Sequence, residues 1–259
     1  MFAFLQIGLF GRLFPIGTII DSKYYVAYVG FILLTIFGSY LFGSINSSII
    51  ISKTLYGDDI RKHGSGNAGM TNMLRTYGLG AAGLTLLGDL LKTALAILLA
   101  GIFFGFGYVG GVSIGGSEAG ICYVAALFAV LGHIFPIFYG FKGGKGVLAT
   151  ATMALILTPV PFLFLLVVFV LIVWASKYVS LGSVSVAVLY PVILPGYFIL
   201  TFGPGSVPLL VSLSSVLLAI IIVWSHRENL ERIGNRTERK ISFKKKPKPE
   251  EDTDDGKNG

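Results

Sequence analysis

Residues 147–174 read Val-Leu-Ala-Thr-Ala-Thr-Met-Ala-Leu-Ile-Leu-Thr-Pro-Val-Pro-Phe-Leu-Phe-Leu-Leu-Val-Val-Phe-Val-Leu-Ile-Val-Trp, with no charge anywhere. A helix needs about 20 mostly apolar residues, at about 1.5 Å each, to cross a hydrocarbon layer of roughly 30 Å. This stretch is interrupted at Thr158-Pro159-Val160-Pro161, where proline removes a backbone donor and ends or starts a helix. Two spans are therefore expected, Val147–Leu157 and Pro161–Ala175. The run is continuous rather than alternating, which points to helices and not to a barrel. The whole chain has the same character. It is 54% hydrophobic and 13% charged, with mean hydropathy +0.80, and a soluble domain carries about 25% charged residues.

Working outward, five more runs are long enough to cross: Tyr25–Ile51, Gly83–Tyr108, Ala119–Phe138, Leu181–Leu200 and Val207–Trp224. Pro191 and Pro195 are expected to kink the Leu181 span. Residues 1–24 are apolar but broken by Arg12, Pro15 and glycines, and they lack the basic start and cleavage site of a secretory signal. They are expected to lie at the lipid interface. Residues 236–259 are basic, then acidic, without apolar periodicity, and read as a disordered tail in contact with the lipid surface. The expected organisation is thus an interfacial segment (1–24), a transmembrane domain (25–235) and a tail (236–259).

The charges give the topology. Lys53, Arg61, Lys62 and Arg75 follow the first span, Lys142 and Lys145 the third, Lys177 the fifth, and Arg227, Arg232, Arg236 and Lys244–Lys246 the last. The loops at Val109–Glu118, Thr158-Pro159 and Thr201–Ser206 carry neither Lys nor Arg. Seven spans make basic and non-basic loops alternate without exception. The positive-inside rule then places the N-terminus outside and the C-terminus in the cytoplasm; Arg12 and Lys23 run mildly against it. The fold expected is all-α and polytopic, with seven transmembrane helices. The net charge of +7 is read as this topology signal, not as a nucleic-acid surface.

Most unusual polar residues gather in the basic loops. In Arg61-Lys62-His63-Gly64-Ser65-Gly66-Asn67-Ala68-Gly69-Met70-Thr71-Asn72, the glycines Gly64, Gly66 and Gly69 permit close backbone approach, so successive N–H groups can form an anion nest. Ser65, Asn67, Thr71 and Asn72 add neutral hydrogen-bonding groups. Arg75 adds a guanidinium suited to bidentate phosphate binding. The alternative for this loop is a glycine-rich turn that caps a helix. Lys142 and Lys145 are flanked by Gly140, Gly143, Gly144 and Gly146, which suits a second phosphate. A basic hairpin that only sets topology would need the lysines but not the glycines. His133, nearby, reads as a packed, hydrogen-bonded histidine. His226 and Asn229 are three apart and share a helix face. Asp89 and Lys92 have the same spacing inside a span and are placed to pair, with snorkelling open to Lys92. Ser180 and Ser183 flank the start of the sixth span and can cap it.

These motifs, in this order from Gly43 to about Lys240, resemble those of the bacterial membrane acyltransferases that use acyl phosphate to acylate glycerol 3-phosphate. The matching elements are Gly43-Ser44, the Gly64–Asn72 loop with Arg75, Asp89-Leu90-Leu91-Lys92, Gly132-His133 with Pro136, Gly140–Gly146, Ser180 with Ser183, and His226-Arg227-Glu228-Asn229. The resemblance implies seven spans in the bacterial cell (inner) membrane, an active site facing the cytoplasm, and lysophosphatidate and phosphate as products. It implies that Ser65, Arg75, Lys145, His226 and Asn229 hold glycerol 3-phosphate and orient its 1-hydroxyl. It implies that the glycine-rich loops, with Ser180 and Ser183, bind the acyl phosphate. Met70, Asn46-Ser47-Ser48 and Thr93 depart from the family's usual residues.

Acyl phosphate is already activated, so the expected chemistry is direct attack without an acyl-enzyme. Either His226 or the substrate's own phosphate takes the proton. A second enzyme type, with a His-x4-Asp pair and a thioester donor, finds only His226 and Glu231 here. That pair is about 140° apart on a helix and is set aside. The other alternative is a transporter of a small phosphorylated anion, which needs a polar route across the membrane. No metal, bound cofactor or nucleic-acid partner is indicated; the partners expected are the two substrates and membrane lipid.

Overall fold

The computed structural model describes residues 24–105 and 119–241, together with residues 8, 9, 13, 108, 109, 112 and 113. The expected interfacial segment and the tail beyond residue 241 fall almost wholly outside the described residues. The helices are α1 (Tyr25–Ser44), α2 (Ser47–Tyr56), α3 (Met70–Tyr77), α4 (Leu79–Phe104), α5 (Ala119–Ile134), α6 (Val147–Leu157), α7 (Pro159–Ser176), α8 (Val179–Phe202), α9 (Leu209–Ser225) and α10 (Arg227–Gly234). Two-residue strands at Tyr108–Val109 and Val112–Ser113 pair antiparallel between α4 and α5.

Helix edges follow local chemistry. The run expected as one span, Tyr25–Ile51, is broken at Ile45-Asn46. The Asn46 side chain accepts hydrogen bonds from Ser48 Oγ at 2.7 Å and from the Ile49 N–H at 3.2 Å. That side-chain cap starts α2 and competes with continuation of α1. Gly78, at φ +87°, turns the chain between α3 and α4, so α4 begins at Leu79 and not at Gly83. α7 starts at Pro159, directly after Thr158, where the missing N–H costs nothing. Pro191 and Pro195 lie inside one continuous α8.

Among the described residues, five helical segments are long and apolar enough to cross a membrane, with α1 and α2 taken together as one. α9 and α10 form a sixth as a pair bent by 53°. α6 has eleven residues, about 16 Å of helix, which is short of a hydrocarbon layer. α10 reads Arg-Glu-Asn-Leu-Glu-Arg-Ile-Gly and is polar on most of its circumference, so the span proper ends at Ser225.

The packing is that of a protein dissolved in lipid. Leu33, Phe37, Leu163, Val192 and Leu200 face outward, while Thr35, Ser39, Ser44, Thr85 and Thr93 are buried. Small residues let backbones touch. A Cβ at Gly43 on α1 would strike the Ala129 backbone of α5, and one at Gly132 on α5 would strike Tyr40 O and the backbone at Gly43-Ser44. The main core runs through α5, α6, α8 and α9, around Tyr123, Leu157, Leu194, Phe198 and Leu218.

Candidate active site

Two loops at one end of the helices are built by their own hydrogen bonds. Asp59 accepts from Arg61 at 2.7 Å, and this contact holds its carboxyl down at about 2. The same guanidinium donates to Tyr139 O at 2.9 Å and Lys142 O at 3.3 Å, tying the loop before α3 to the loop before α6. Asn72 organises the first loop. Its Oδ1 accepts from the Ser65 N–H at 3.0 Å, and its Nδ2 donates to His63 O at 2.9 Å and Asn67 O at 3.1 Å. Gly64 sits at φ +57°, with no room for a Cβ beside Asn72 Oδ1.

Several N–H groups expected to face an anion are used inside the fold. Gly66 donates to His63 O and Gly69 to Asn67 O; Gly143 donates to Ile134 O and Gly144 to His133 O, both at 3.1 Å. Gly144 has no side chain because His133 Nε2 and Ala68 O occupy that space. The second loop is thereby laid against the end of α5, and Lys145 is the residue it presents.

Between these loops, α6, α7, α8 and α10 lies a cavity of about 650 Å³. It brings together Ser65, Arg75, Lys145, His226 and Asn229, far apart in sequence, with Ser180, Ser183, Gly64, Asn67, Gly69, Thr71, Asn72 and Gly146. Gly66, Lys142, Gly143 and Gly144 do not line it; Lys142 is exposed.

The Lys145 ammonium is hydrogen-bonded to Asn229 Oδ1. Burial lowers its pKa to about 8, opposed by the charge of Glu238. His226 lies between α9 and α10, with Nδ1 2.8 Å from Ile222 O. A carbonyl only accepts, so Nδ1 carries the proton and Nε2 holds a lone pair. Burial pushes the imidazole down to about 4, with Lys145 adding to the effect, so His226 is neutral at physiological pH. Burial and the nearby Arg239 lower the pKa of Arg75, yet guanidinium stays charged. Among the described residues, neither Arg75 nor Arg239 has a carboxylate partner.

The site also contains a residue that the sequence reading assigned to a disordered tail. Residues 237–241 return to the cavity, anchored by Ile241 N donating to Lys177 O at 2.9 Å. Glu238 accepts from Ser180 Oγ at 2.6 Å, Asn229 Nδ2 at 2.6 Å and Arg232 Nε at 2.8 Å. These donors hold its carboxyl below the ordinary range despite burial. The boundary expected at residue 236 is corrected accordingly. The only signal in the sequence is one acid among Arg236, Arg239 and Lys240 just past α10, and composition alone reads that as a solvated run.

Below the mouth, Lys92 Nζ is 2.8 Å from Asp89 Oδ1, 2.7 Å from His133 Nδ1 and 3.3 Å from Ile45 O. Three ammonium protons meet three acceptors, and Ser47 Oγ donates to the same carboxylate at 3.2 Å. The pairing of Asp89 with Lys92 expected from spacing is present, with Lys92 turned inward. Toward α7 and α8 the cavity becomes apolar, lined by Ala151, Ala154, Phe162, Leu165, Phe169, Val186, Ala187 and Tyr190. A cationic mouth joined to an apolar trough fits a molecule with a phosphate head and a hydrocarbon tail.

Comparison with known proteins gives the family. Residues 33–236 match the model of the family described as glycerol-3-phosphate acyltransferase. A glycerol-3-phosphate acyltransferase of Syntrophomonas wolfei is 42% identical over 205 residues, covering 79% of this chain and 94% of that one. That of Bacillus subtilis is 39% identical over 212 residues, covering 82% and 98%. The crystal structure of PlsY (YgiH), an integral membrane glycerol 3-phosphate acyltransferase, in its glycerol 3-phosphate form superposes with a TM-score of 0.67 at 31% identity. The match covers 82% of this chain and 96% of PlsY. The lysophosphatidic acid form gives 0.65 at 30% identity, covering 82% and 95%. The chain is a multi-pass membrane protein and belongs to the glycerol-3-phosphate acyltransferase family.

Proposed function

We propose that this protein transfers a fatty acyl group from acyl phosphate to the 1-hydroxyl of glycerol 3-phosphate, releasing lysophosphatidate and phosphate. One observation carries the reading: two cations without carboxylate partners among the described residues, Arg75 and Lys145, stand with His226 and Asn229 at the head of an apolar trough. Two phosphates repel, so bringing them together requires fixed positive charge in a partly dehydrated site. Arg75, Lys145 and Arg239 supply it, since Arg232 is already paired with Glu238. Ser65 and Thr71 add hydroxyl donors, and the trough takes the acyl chain.

The hydroxyl oxygen of glycerol 3-phosphate attacks the acyl carbon. The bond between that carbon and the bridging phosphate oxygen breaks, and phosphate departs. His226 Nε2 accepts the hydroxyl hydrogen bond and aims the nucleophile. At about 4, His226 is a weaker base than a phosphate group, whose second pKa is about 6. The hydroxyl proton therefore ends on the departing phosphate, which leaves as hydrogen phosphate. Positioning of this kind is worth about 7–11 kcal/mol of barrier, and no acyl-enzyme is needed.

The membrane arrangement is part of the proposal: seven crossings, with α6 and α9 each counted as one, the N-terminus outside and the site at the cytoplasmic face of a bacterial inner membrane. The alternation of basic and non-basic loops supports it. The transport alternative has little support at depth, where Asp89, Lys92 and His133 satisfy one another. The deciding experiment supplies purified protein in detergent with glycerol 3-phosphate and either acyl phosphate or acyl coenzyme A. Lysophosphatidate from acyl phosphate alone is the expected result. Product from the thioester alone overturns the proposed donor.

A further inference from the structure

The apolar half of the cavity has a definite far end. Its lining on α8 runs from Val179 and Ser180, at the polar mouth, to Tyr190. The ten steps from Ser180 to Tyr190 rise about 15 Å along the helix, half of a hydrocarbon layer of about 30 Å, and so about the depth of one lipid leaflet. Tyr190 is only 3% exposed. Its hydroxyl lies 3.2 Å from Thr158 Oγ1, and Thr158 Oγ1 in turn lies 3.4 Å from Ala154 O. Thr158 is the turn between α6 and α7. The tyrosine ring is thus fastened across the trough to the hairpin that forms its other walls, and it packs into the same buried cluster as Leu157, Leu165 and Leu194.

We infer that Tyr190 is the floor of the acyl trough and sets the longest acyl chain the enzyme uses efficiently. The inference rests on the reading of the trough as the acyl site. A chain whose carbonyl sits beside Lys145 must lie along α8, and its terminal methyl meets the Tyr190 ring. The ring cannot swing aside without leaving Thr158. A chain that is too short leaves the lower trough unfilled and forfeits the contacts of each missing methylene. A chain that is too long has to fold back or displace the ring. Ala187 lies one turn nearer the mouth on the same side and is also a lining residue, so enlarging it raises the floor.

The test measures kcat/KM for a homologous series of saturated acyl phosphates with the full-length protein. Tyr190→Ala should move the optimum to longer chains, and Ala187→Leu should move it to shorter ones. Each should change the ratio of long-chain to short-chain kcat/KM at least about tenfold, the discrimination expected of one or two methylenes in an apolar pocket. Tyr190→Phe, which keeps the ring, should leave the optimum in place. A merely destabilised protein loses activity evenly across the series. If Tyr190→Ala does not fold, Ala187→Leu carries the test alone. Wild-type profiles in the variants that fold, or shifts opposite to those stated, overturn the floor. A wild type that transfers no acyl group from any acyl phosphate overturns the underlying reading instead.

Discussion

Lys145 offers the sharpest test, because its charge is set to change within an accessible pH range. Burial lowers its pKa to about 8. The cationic form therefore dominates below pH 8, and the neutral amine takes over above it. If the ammonium neutralises a substrate phosphate, kcat/KM for glycerol 3-phosphate must be near its plateau at about pH 7 and about half of it at pH 8. It must then approach a tenfold fall for each pH unit above, with about a tenth remaining at pH 9, since one pKa unit is worth about 1.4 kcal/mol. Phosphate itself, with its second pKa near 6, does not titrate in that window, and His226 at about 4 stays neutral throughout it. Lys145→Arg replaces the group with one of pKa above about 12. Whatever activity that variant retains should show no alkaline fall up to about pH 10. The assay is initial-rate kinetics in detergent with both substrates well below saturation, so that the free enzyme is what titrates, from pH 7 to 10. A flat wild-type profile, or an alkaline limb that persists unchanged in Lys145→Arg, would refute the phosphate-neutralising role.

Other outcomes follow from the same geometry. Arg75 is exposed, so Arg75→Ala should unfold no more readily than wild type while losing at least about tenfold in rate, or about 1.4 kcal/mol; wild-type rates would remove it from the site. Glu238→Ala strands the donors of Ser180, Asn229 and Arg232. It should lower thermal stability in detergent by about 1–3 kcal/mol, with lost activity, and an unchanged melting curve would show that the returning segment is ornamental. Gly43→Ala drives a methyl into the Ala129 backbone and should destabilise by about 1–3 kcal/mol; equal stability would mean α1 and α5 do not approach so closely. In a Cys122→Ala background, a single cysteine replacing Lys177 should resist an impermeant maleimide added to intact cells, and one replacing Ser206 should react. The reverse pattern inverts the proposed topology.

The helices were largely legible in the sequence because lipid makes the signal simple: long apolar runs, interrupted where Pro159 or a glycine forces a turn. Helix breaks caused by side-chain competition were less legible. Nothing in the run Tyr25–Ile51 marks Asn46 as a cap until the fold buries it beside Ser48 and Ile49. Of the site, residue type and motif order brought out Arg75, Lys145, His226 and Asn229. The division of labour among the glycines was not readable, because a glycine that frees a backbone N–H and one that lets His133 pack against the chain look alike in sequence. Glu238 was hidden for a related reason. Its burial depends on Ser180, Asn229 and Arg232, two of them on α10 and one on α8. Tyr190 read as an ordinary aromatic in a span; only the three-dimensional trough gives it a place at one end.

The central claim is that one cationic mouth holds two phosphates side by side. Its most direct test is equilibrium binding of labelled glycerol 3-phosphate to the purified protein, with and without a non-transferable acyl phosphonate. The account predicts that both bind together, and that the Arg75→Gln Lys145→Gln double variant loses glycerol 3-phosphate binding while remaining folded. Mutually exclusive binding, or full affinity in the double variant, would contradict it.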